Sequence, residues 1–202
     1  MKYLPLLLTM LLLPGLCAGC GVKRAGIKPD NQALFNTVCP ADEALEKARA
    51  AGIPVMEDLR CTAGQAAMET FYETVSAGKK AQLVCLSYYT LDSRFMAEES
   101  YEERKDQYPQ ASFILVTFDG KTYTVTERLS SDIEPEYRSS FPCLVHLTGN
   151  APSQASYSTY DTYVLADDPS ITMERIWESW LSSDSQVAFG CPHYIIFNHY
   201  AD

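Results

Sequence analysis

The chain has 202 residues, of which 47% are hydrophobic and 11% aromatic, and its formal net charge at neutral pH is −10. This composition is typical of a folded globular protein and excludes a disordered one. Acidic residues outnumber basic ones by 26 to 16, and such a surface repels nucleic acid and anionic lipid headgroups. We therefore expect no nucleic-acid partner.

The N-terminus is typical of an export signal. Lys2 precedes an uncharged and largely apolar run that is too short for a membrane-spanning helix. The run ends in small residues followed by Cys20, and it resembles the bacterial lipobox, although Cys17 stands where that motif usually has an aliphatic residue. The pattern predicts a lipoprotein signal peptide over residues 1–19 and a lipidated Cys20, which anchors the exported chain to the outer face of the cytoplasmic membrane. The alternative is an ordinary secretory leader that is cut near Ala18 or Gly19.

A spacer and a single folded domain are expected after the leader. Residues 20–38 show no apolar periodicity, so we interpret them as the lipidated cysteine and a flexible tether. Residues 39–202 are long enough for one globular domain. Within that domain, residues 40–51 predict a short helix that ends before Gly52, and residues 53–56 predict an extended segment.

Two amphipathic helices are predicted from apolar residues at helical spacing. The first follows a possible capping box at residues 62–65, with Met68, Phe71 and Val75 on one face. The second opens at residues 167–170. Its wide apolar stripe consists of Met173, Ile176, Trp177, Trp180 and Leu181.

The remaining apolar runs predict strands. The strongest local signal is Asp119-Gly120, a dipeptide that suits a tight hairpin turn. The predicted strands are residues 81–89, 112–118, 122–128, 141–148, 156–165 and 192–199. The charged residues 93–107 predict a surface helix or a long excursion between strands. Together these elements predict an α+β fold, in which an antiparallel sheet of about five strands carries two to three packed helices.

Several scaffold motifs support a family resemblance. They are the helix opened at residues 62–65, the turn at residues 78–80, the hairpin at residues 118–121 and the run from 160 to 165. With these motifs the chain resembles uncharacterised small lipoproteins of Firmicutes, including gut clostridia, over about residues 40–200. Those proteins have no assigned activity, so the resemblance implies location and fold and adds no catalytic residue.

Five cysteines remain after the leader, which is an odd number and cannot pair completely. They are Cys39, Cys61, Cys85, Cys143 and Cys191. No two have the spacing of a zinc ribbon or of a redox Cys-x-x-Cys motif. One or two disulfides among them stay open, and Cys85, which lies in an apolar run, is expected to be a small buried hydrophobe.

The histidines give weak evidence for a metal or catalytic site. His193 and His199 share a face of a regular strand, but six residues at about 3.3 Å each place them about 20 Å apart, too far for one ion. His146 is the other candidate base, and no Gly-x-Ser-x-Gly elbow accompanies it. The glutamates between residues 98 and 103 are more simply a solvated acidic face than a calcium site. We predict no catalytic residue, no metal and no cofactor.

Tyrosines are the best candidates for recognition, because they give large contact area at little entropic cost. The candidates are Tyr88, Tyr89, Tyr101, Tyr108, Tyr157, Tyr160 and Tyr163. Tyrosine also suits half-exposed strand positions, which is the simpler interpretation. Of these we single out Tyr157, Tyr160 and Tyr163 as possible ligand-binding residues.

The sequence therefore favours an anchored, non-catalytic binding module for an envelope protein or ligand. One alternative is an extracellular hydrolase that uses Cys and His groups, and another is a purely structural envelope lipoprotein.

Overall fold

The structure is a computed structural model that describes residues 31–153, 155 and 157–201. The predicted signal peptide, Cys20 and the first part of the predicted tether lie outside these residues. In the part of the chain that is described, no helix is long and apolar enough to cross a membrane.

Six α-helices and nine strands are found in the described residues. The first half contains α1 (Asn31–Phe35), α2 (Ala41–Ala51), β1 (Val55–Glu57), β2 (Arg60–Ala63), α3 (Gln65–Ser76), β3 (Ala81–Tyr89) and α4 (Glu98–Arg104). The second half contains β4 (Gln110–Phe118), β5 (Tyr123–Leu129), β6 (Tyr137–Phe141), β7 (Cys143–Asn150), β8 (Thr159–Ala166), α5 (Met173–Leu181), α6 (Ser185–Phe189) and β9 (His193–Ala201).

The strands form two sheets, so the α+β class is confirmed but the expectation of a single antiparallel sheet is wrong. Sheet A has the order β2-β1-β3-β4-β5-β6 and is mixed, because β1 runs parallel to β3. Sheet B is antiparallel, with the order β7-β8-β9. Strands β2 and β6 are not predicted from the sequence, because both are short and mostly exposed and therefore lack an apolar pattern.

The two sheets and the helices stack in four layers. On β3, Leu83 and Cys85 face the core between the sheets, together with residues of α3 and sheet B. Val84 and Leu86 face the opposite way and pack under α1 and α2. The outer face of sheet B packs against α5. The alternation of side chains along β3 thus separates two cores, which explains why nearly the whole strand is apolar.

The start of α3 differs from the predicted capping box. Thr62 lies in β2, and its hydroxyl donates to the carboxylate of Glu57 at 2.5 Å. The helix begins after Gly64, whose φ is +75°, and a Cβ at this position would lie 2.0 Å from the carbonyl oxygen of Ile53. Only glycine permits this close approach in a left-handed conformation.

Two predicted turns are confirmed in detail. Helix α2 ends at Gly52, which has a φ of 68°, as its position after the last turn predicts. The β4–β5 hairpin turns at Asp119, whose carboxylate accepts hydrogen bonds from the backbone N–H groups of Lys121 and Thr122, both at 2.9 Å. Gly120 adopts a φ of 100° beside it.

The second amphipathic helix is shorter than predicted, and its apolar stripe is only partly buried. Helix α5 begins after Thr172, whose hydroxyl accepts from the N–H of Arg175, so residues 167–170 form a turn ahead of the helix. Met173 and Ile176 are buried, whereas Leu181 at the end of the stripe is 87% exposed. An exposed apolar side chain of this size is uncommon beside a packed core.

The segment that the sequence assigns to the end of the tether is part of the fold. It forms α1 and is held by Arg128, a side chain only 1% exposed. The guanidinium donates to the carbonyl oxygens of Phe35, Thr37, Leu129 and Asp132. The prediction of an unstructured tether up to residue 38 is therefore wrong for residues 31–38.

Candidate functional site

His146 pairs with a carboxylate but not with a nucleophile. Its Nε2 lies 2.7 Å from Oδ1 of Asp161 on the neighbouring strand β8. Its ring stacks on Tyr163 at a centroid distance of 4.1 Å and meets the edge of Tyr72. Within the described residues, no hydroxyl or thiol is hydrogen-bonded to His146, so the third member of a catalytic triad is missing there.

The other two histidines lie on opposite faces of β9, contrary to the sequence expectation. Residue Tyr163 pairs with Phe197 and Val164 with Ile195, so Ile196 is an extra residue in a β-bulge. The bulge reverses the alternation between His193 and His199. Groups of three or more potential metal ligands are absent from the described part of the chain.

The five cysteines are free thiols in the structure. Burial raises the pKa of the thiols of Cys39, Cys61, Cys85 and Cys143. A raised pKa disfavours the thiolate, which is the nucleophilic form. Cys85 is fully buried, as its apolar surroundings predict.

The three singled-out tyrosines do not form a common surface. Tyr163 is 3% exposed and lies in the core between the sheets, where burial and then the charge of Asp161 raise its pKa to about 12. Tyr160 is 9% exposed, points to the α5 side of sheet B and covers Gly149, its partner in the β7–β8 ladder. Tyr157 is half-buried and stacks on Tyr200. Tyr160 and Tyr163 thus serve the scaffold.

An open cavity of about 310 Å³ lies beside β9, and we call it the β9 cleft. The β1–β2 hairpin, the end of β3, helix α5 and strand β9 line it. Its lining includes Leu59, Tyr89, Trp180, His193, Asn198 and Tyr200. This volume is within the usual range of ligand sites, which is about 300–1,000 Å³.

Leu59, which lines the β9 cleft, lies in a strained turn. Asp58 and Leu59 form the β1–β2 turn with φ values of 47° and 69°, a region that residues other than glycine enter at a cost of about 1–2 kcal/mol. The Asp58 carboxylate holds the turn by accepting from the N–H and the hydroxyl of Thr90, at 2.8 and 2.7 Å. Leu59 stays 50% exposed. An apolar side chain in a strained and exposed turn indicates a role beyond the scaffold.

The α5 side of the cleft is also apolar and exposed. Trp180 lines the cleft, is 55% exposed and lies near His193, with a ring-centroid distance of 6.1 Å. Leu181 on α5 and Phe189 on α6 are also exposed, at 87% and 82%.

The tyrosine hydroxyl groups of the cleft are neutral. Burial raises the pKa values of Tyr89, Tyr194 and Tyr200, so their phenol groups stay protonated at neutral pH. Tyr194 donates to Glu127 at 2.6 Å, which adds a carboxylate behind the lining. None of the lining residues is Lys or Arg, so an anionic ligand would find no counter-charge there.

Asn198 places a polar side chain in the lining of the cleft. Its side chain is 4% exposed, and its Oδ1 accepts from the hydroxyl of Thr162 at 3.0 Å. Within the described residues, the one fully buried side-chain polar atom without a partner is Nδ1 of His199. The amide nitrogen of Asn198 is therefore accessible from the cleft, where it can donate to an acceptor of a ligand.

The β9 cleft is not predicted from the sequence, although one local signal of it is present. Ile195, Ile196 and Phe197 are consecutive apolar residues that interrupt the alternation of β9, which is the signature of a bulge. The exposure of Trp180 and the left-handed Leu59 have no signature in the sequence. Both depend on how the hairpin and α5 pack around β9.

Comparison with protein-family models, with curated proteins and with solved structures finds no match for this chain.

Proposed function

We propose that this protein is an exported lipoprotein, anchored through Cys20 to the outer face of the cytoplasmic membrane, and that it acts there as a non-catalytic binding module with the β9 cleft as its ligand site. The observation that carries the proposal is an open aromatic cleft whose lining presents the amide group of Asn198 as an available hydrogen-bond donor. Aromatic walls with a few placed polar groups are typical of ligand sites.

A hydrolase is the second candidate, since His146 and Asp161 form the histidine–carboxylate half of a triad. Two observations weigh against it. The pair stacks into the core through Tyr163, and it does not line the β9 cleft. The pKa values of the Cys61 and Cys143 thiols are raised by burial, which is opposite to the shift that a cysteine nucleophile requires.

Site-specific photo-crosslinking in cells tests the ligand site. A photoreactive residue at Leu59, at the cleft mouth, is expected to give a discrete adduct with the ligand. Ile133 is the matched control, because it is a similarly exposed aliphatic residue in the β5–β6 loop, at 56% against 50% exposure. Equal adducts at the two positions, or none at Leu59, would overturn the assignment.

Metabolic labelling with a palmitate analogue tests the anchor. The wild-type chain is expected to incorporate the label, and Cys20→Ser is expected to abolish it. Label that persists in the Cys20→Ser chain would contradict lipidation at this residue.

A further inference from the structure

The β9 cleft lies along an unpaired sheet edge. Strand β9 is the last strand of sheet B, and no described strand pairs with its outer side. Its nine residues include no Lys, Arg or Pro. Natural proteins usually protect a long edge with such residues, because exposed backbone groups recruit another strand. Strand β9 lacks this protection where the cleft leaves it accessible.

The register shows which backbone groups face the cleft. The N–H of Asp167 donates to the carbonyl of Pro192, so these two residues form a hydrogen-bonded pair. Hydrogen-bonded and non-hydrogen-bonded pairs alternate along an antiparallel ladder, so His193 and Ile195 belong to non-hydrogen-bonded pairs with β8. Their N–H and C=O groups therefore point to the free side of β9. Beyond the bulge, Asn198 and Tyr200 take this orientation.

These four residues, together with Tyr194, are the residues of β9 that line the cleft. The cleft thus offers alternating backbone donors and acceptors along β9, and Leu59 and Trp180 are also in its lining. Such a row matches the peptide groups of an extended chain, and a small molecule would leave most of it unpaired.

We propose that the β9 cleft binds an extended polypeptide segment of another molecule, which pairs with β9 and becomes the fourth strand of sheet B. The proposal rests on the function proposed above and names the class of ligand. The segment is neutral or basic, since the chain carries a net charge of −10 and the lining contains no Lys or Arg. Its apolar side chains contact Leu59 and Trp180, and Asn198 donates to one of its polar groups.

Peptide binding to the full-length lipoprotein in detergent tests the strand pairing. The probe is a set of blocked octapeptides that alternate aliphatic or aromatic residues with Thr or Lys, and the tightest binder is made again in two backbone-methylated forms. One form carries N-methyl groups on its odd residues and the other on its even residues. Only one of these two sets of amides faces β9.

One methylated form is expected to bind at least about tenfold more weakly than the parent peptide, and the other to bind within about twofold of it. In the protein, hydrogen exchange of the Ile195 amide is expected to slow when the peptide binds. The Tyr194 amide is the internal control, because it already faces β8 and should not change.

Four outcomes overturn the proposal. If both methylated forms bind equally, or the Ile195 amide is not protected, side chains alone are recognised, and the β9 cleft remains a ligand site without strand pairing. If the free lipoprotein sediments as a dimer that the peptide dissociates, the occupant is a second copy of this chain. If no peptide binds while Leu59 still gives a specific adduct, the ligand is not a polypeptide. Absence of both peptide binding and adduct refutes the proposed function as well.

Discussion

Replacing Arg128 by methionine tests whether a single buried side chain joins the first helix to the sheets. Methionine fills a similar space but cannot donate, so the carbonyl groups of Phe35, Thr37, Leu129 and Asp132 lose a hydrogen-bond partner. Each buried acceptor left unpaired costs about 1–3 kcal/mol. Burial lowers the pKa of Arg128, which shows that its charge is held at a desolvation cost, and removing that cost offsets part of the loss.

We expect a net loss of about 3 kcal/mol in the free energy of unfolding, out of a total of about 5–15 kcal/mol for a domain. For a chain of this size, that loss lowers Tm by about 6–12 °C. Urea and thermal unfolding followed by circular dichroism would measure both quantities. Arg138→Met is the matched control, because Arg138 is exposed on β6 and its loss should change stability by less than about 0.5 kcal/mol. An Arg128→Met protein as stable as this control would refute the reasoning.

Three further changes probe the turns, each by urea unfolding. Gly64→Ala should destabilise the chain far more than Gly52→Ala, because a Cβ at residue 64 would meet the carbonyl oxygen of Ile53 at 2.0 Å. Nothing lies within 4 Å of a Cβ at residue 52, so Gly52→Ala should cost only about 1 kcal/mol for its left-handed backbone. Equal losses of stability in the two variants would contradict this. Leu59→Gly should stabilise the chain by about 1 kcal/mol through relief of backbone strain while weakening ligand capture, and a loss of stability would argue against strain at the turn. Hydrogen bonds from two backbone N–H groups lower the pKa of Asp119, so its stabilisation is complete above the usual carboxyl pKa and is lost as pH falls through the lowered pKa. The deficit of Asp119→Asn should therefore shrink as the pH falls below the usual carboxyl range, and a deficit that stays constant would refute this.

Local patterns predicted the elements whose signals lie within a few residues. The apolar spacing of Met68, Phe71 and Val75 indicated α3, and Asp119-Gly120 indicated the β4–β5 hairpin. These structures are stabilised largely by neighbours in sequence, so their signals are visible without knowledge of the fold.

Pairing between distant strands could not be predicted in the same way. The division into two sheets depends on which strands meet laterally, and short strands such as β2 contribute almost no pattern of their own. The extra residue Ile196 reverses the faces of His193 and His199, which a strict alternation places together. The candidate site follows from this register and from the position of Trp180, so it was absent from the sequence analysis.

The first described residue and the β9 cleft lie at opposite ends of strand β3. Asn31, the first residue described, donates to the carbonyl of Gln82 near the start of this strand, whereas Tyr89 at its other end lines the β9 cleft. Seven residues at about 3.3 Å each make this separation about 23 Å. If the chain is tethered through Cys20 as proposed, the tether joins the domain near the end of β3 that lies farther from the cleft. The anchor and the ligand site would then occupy separate parts of the domain.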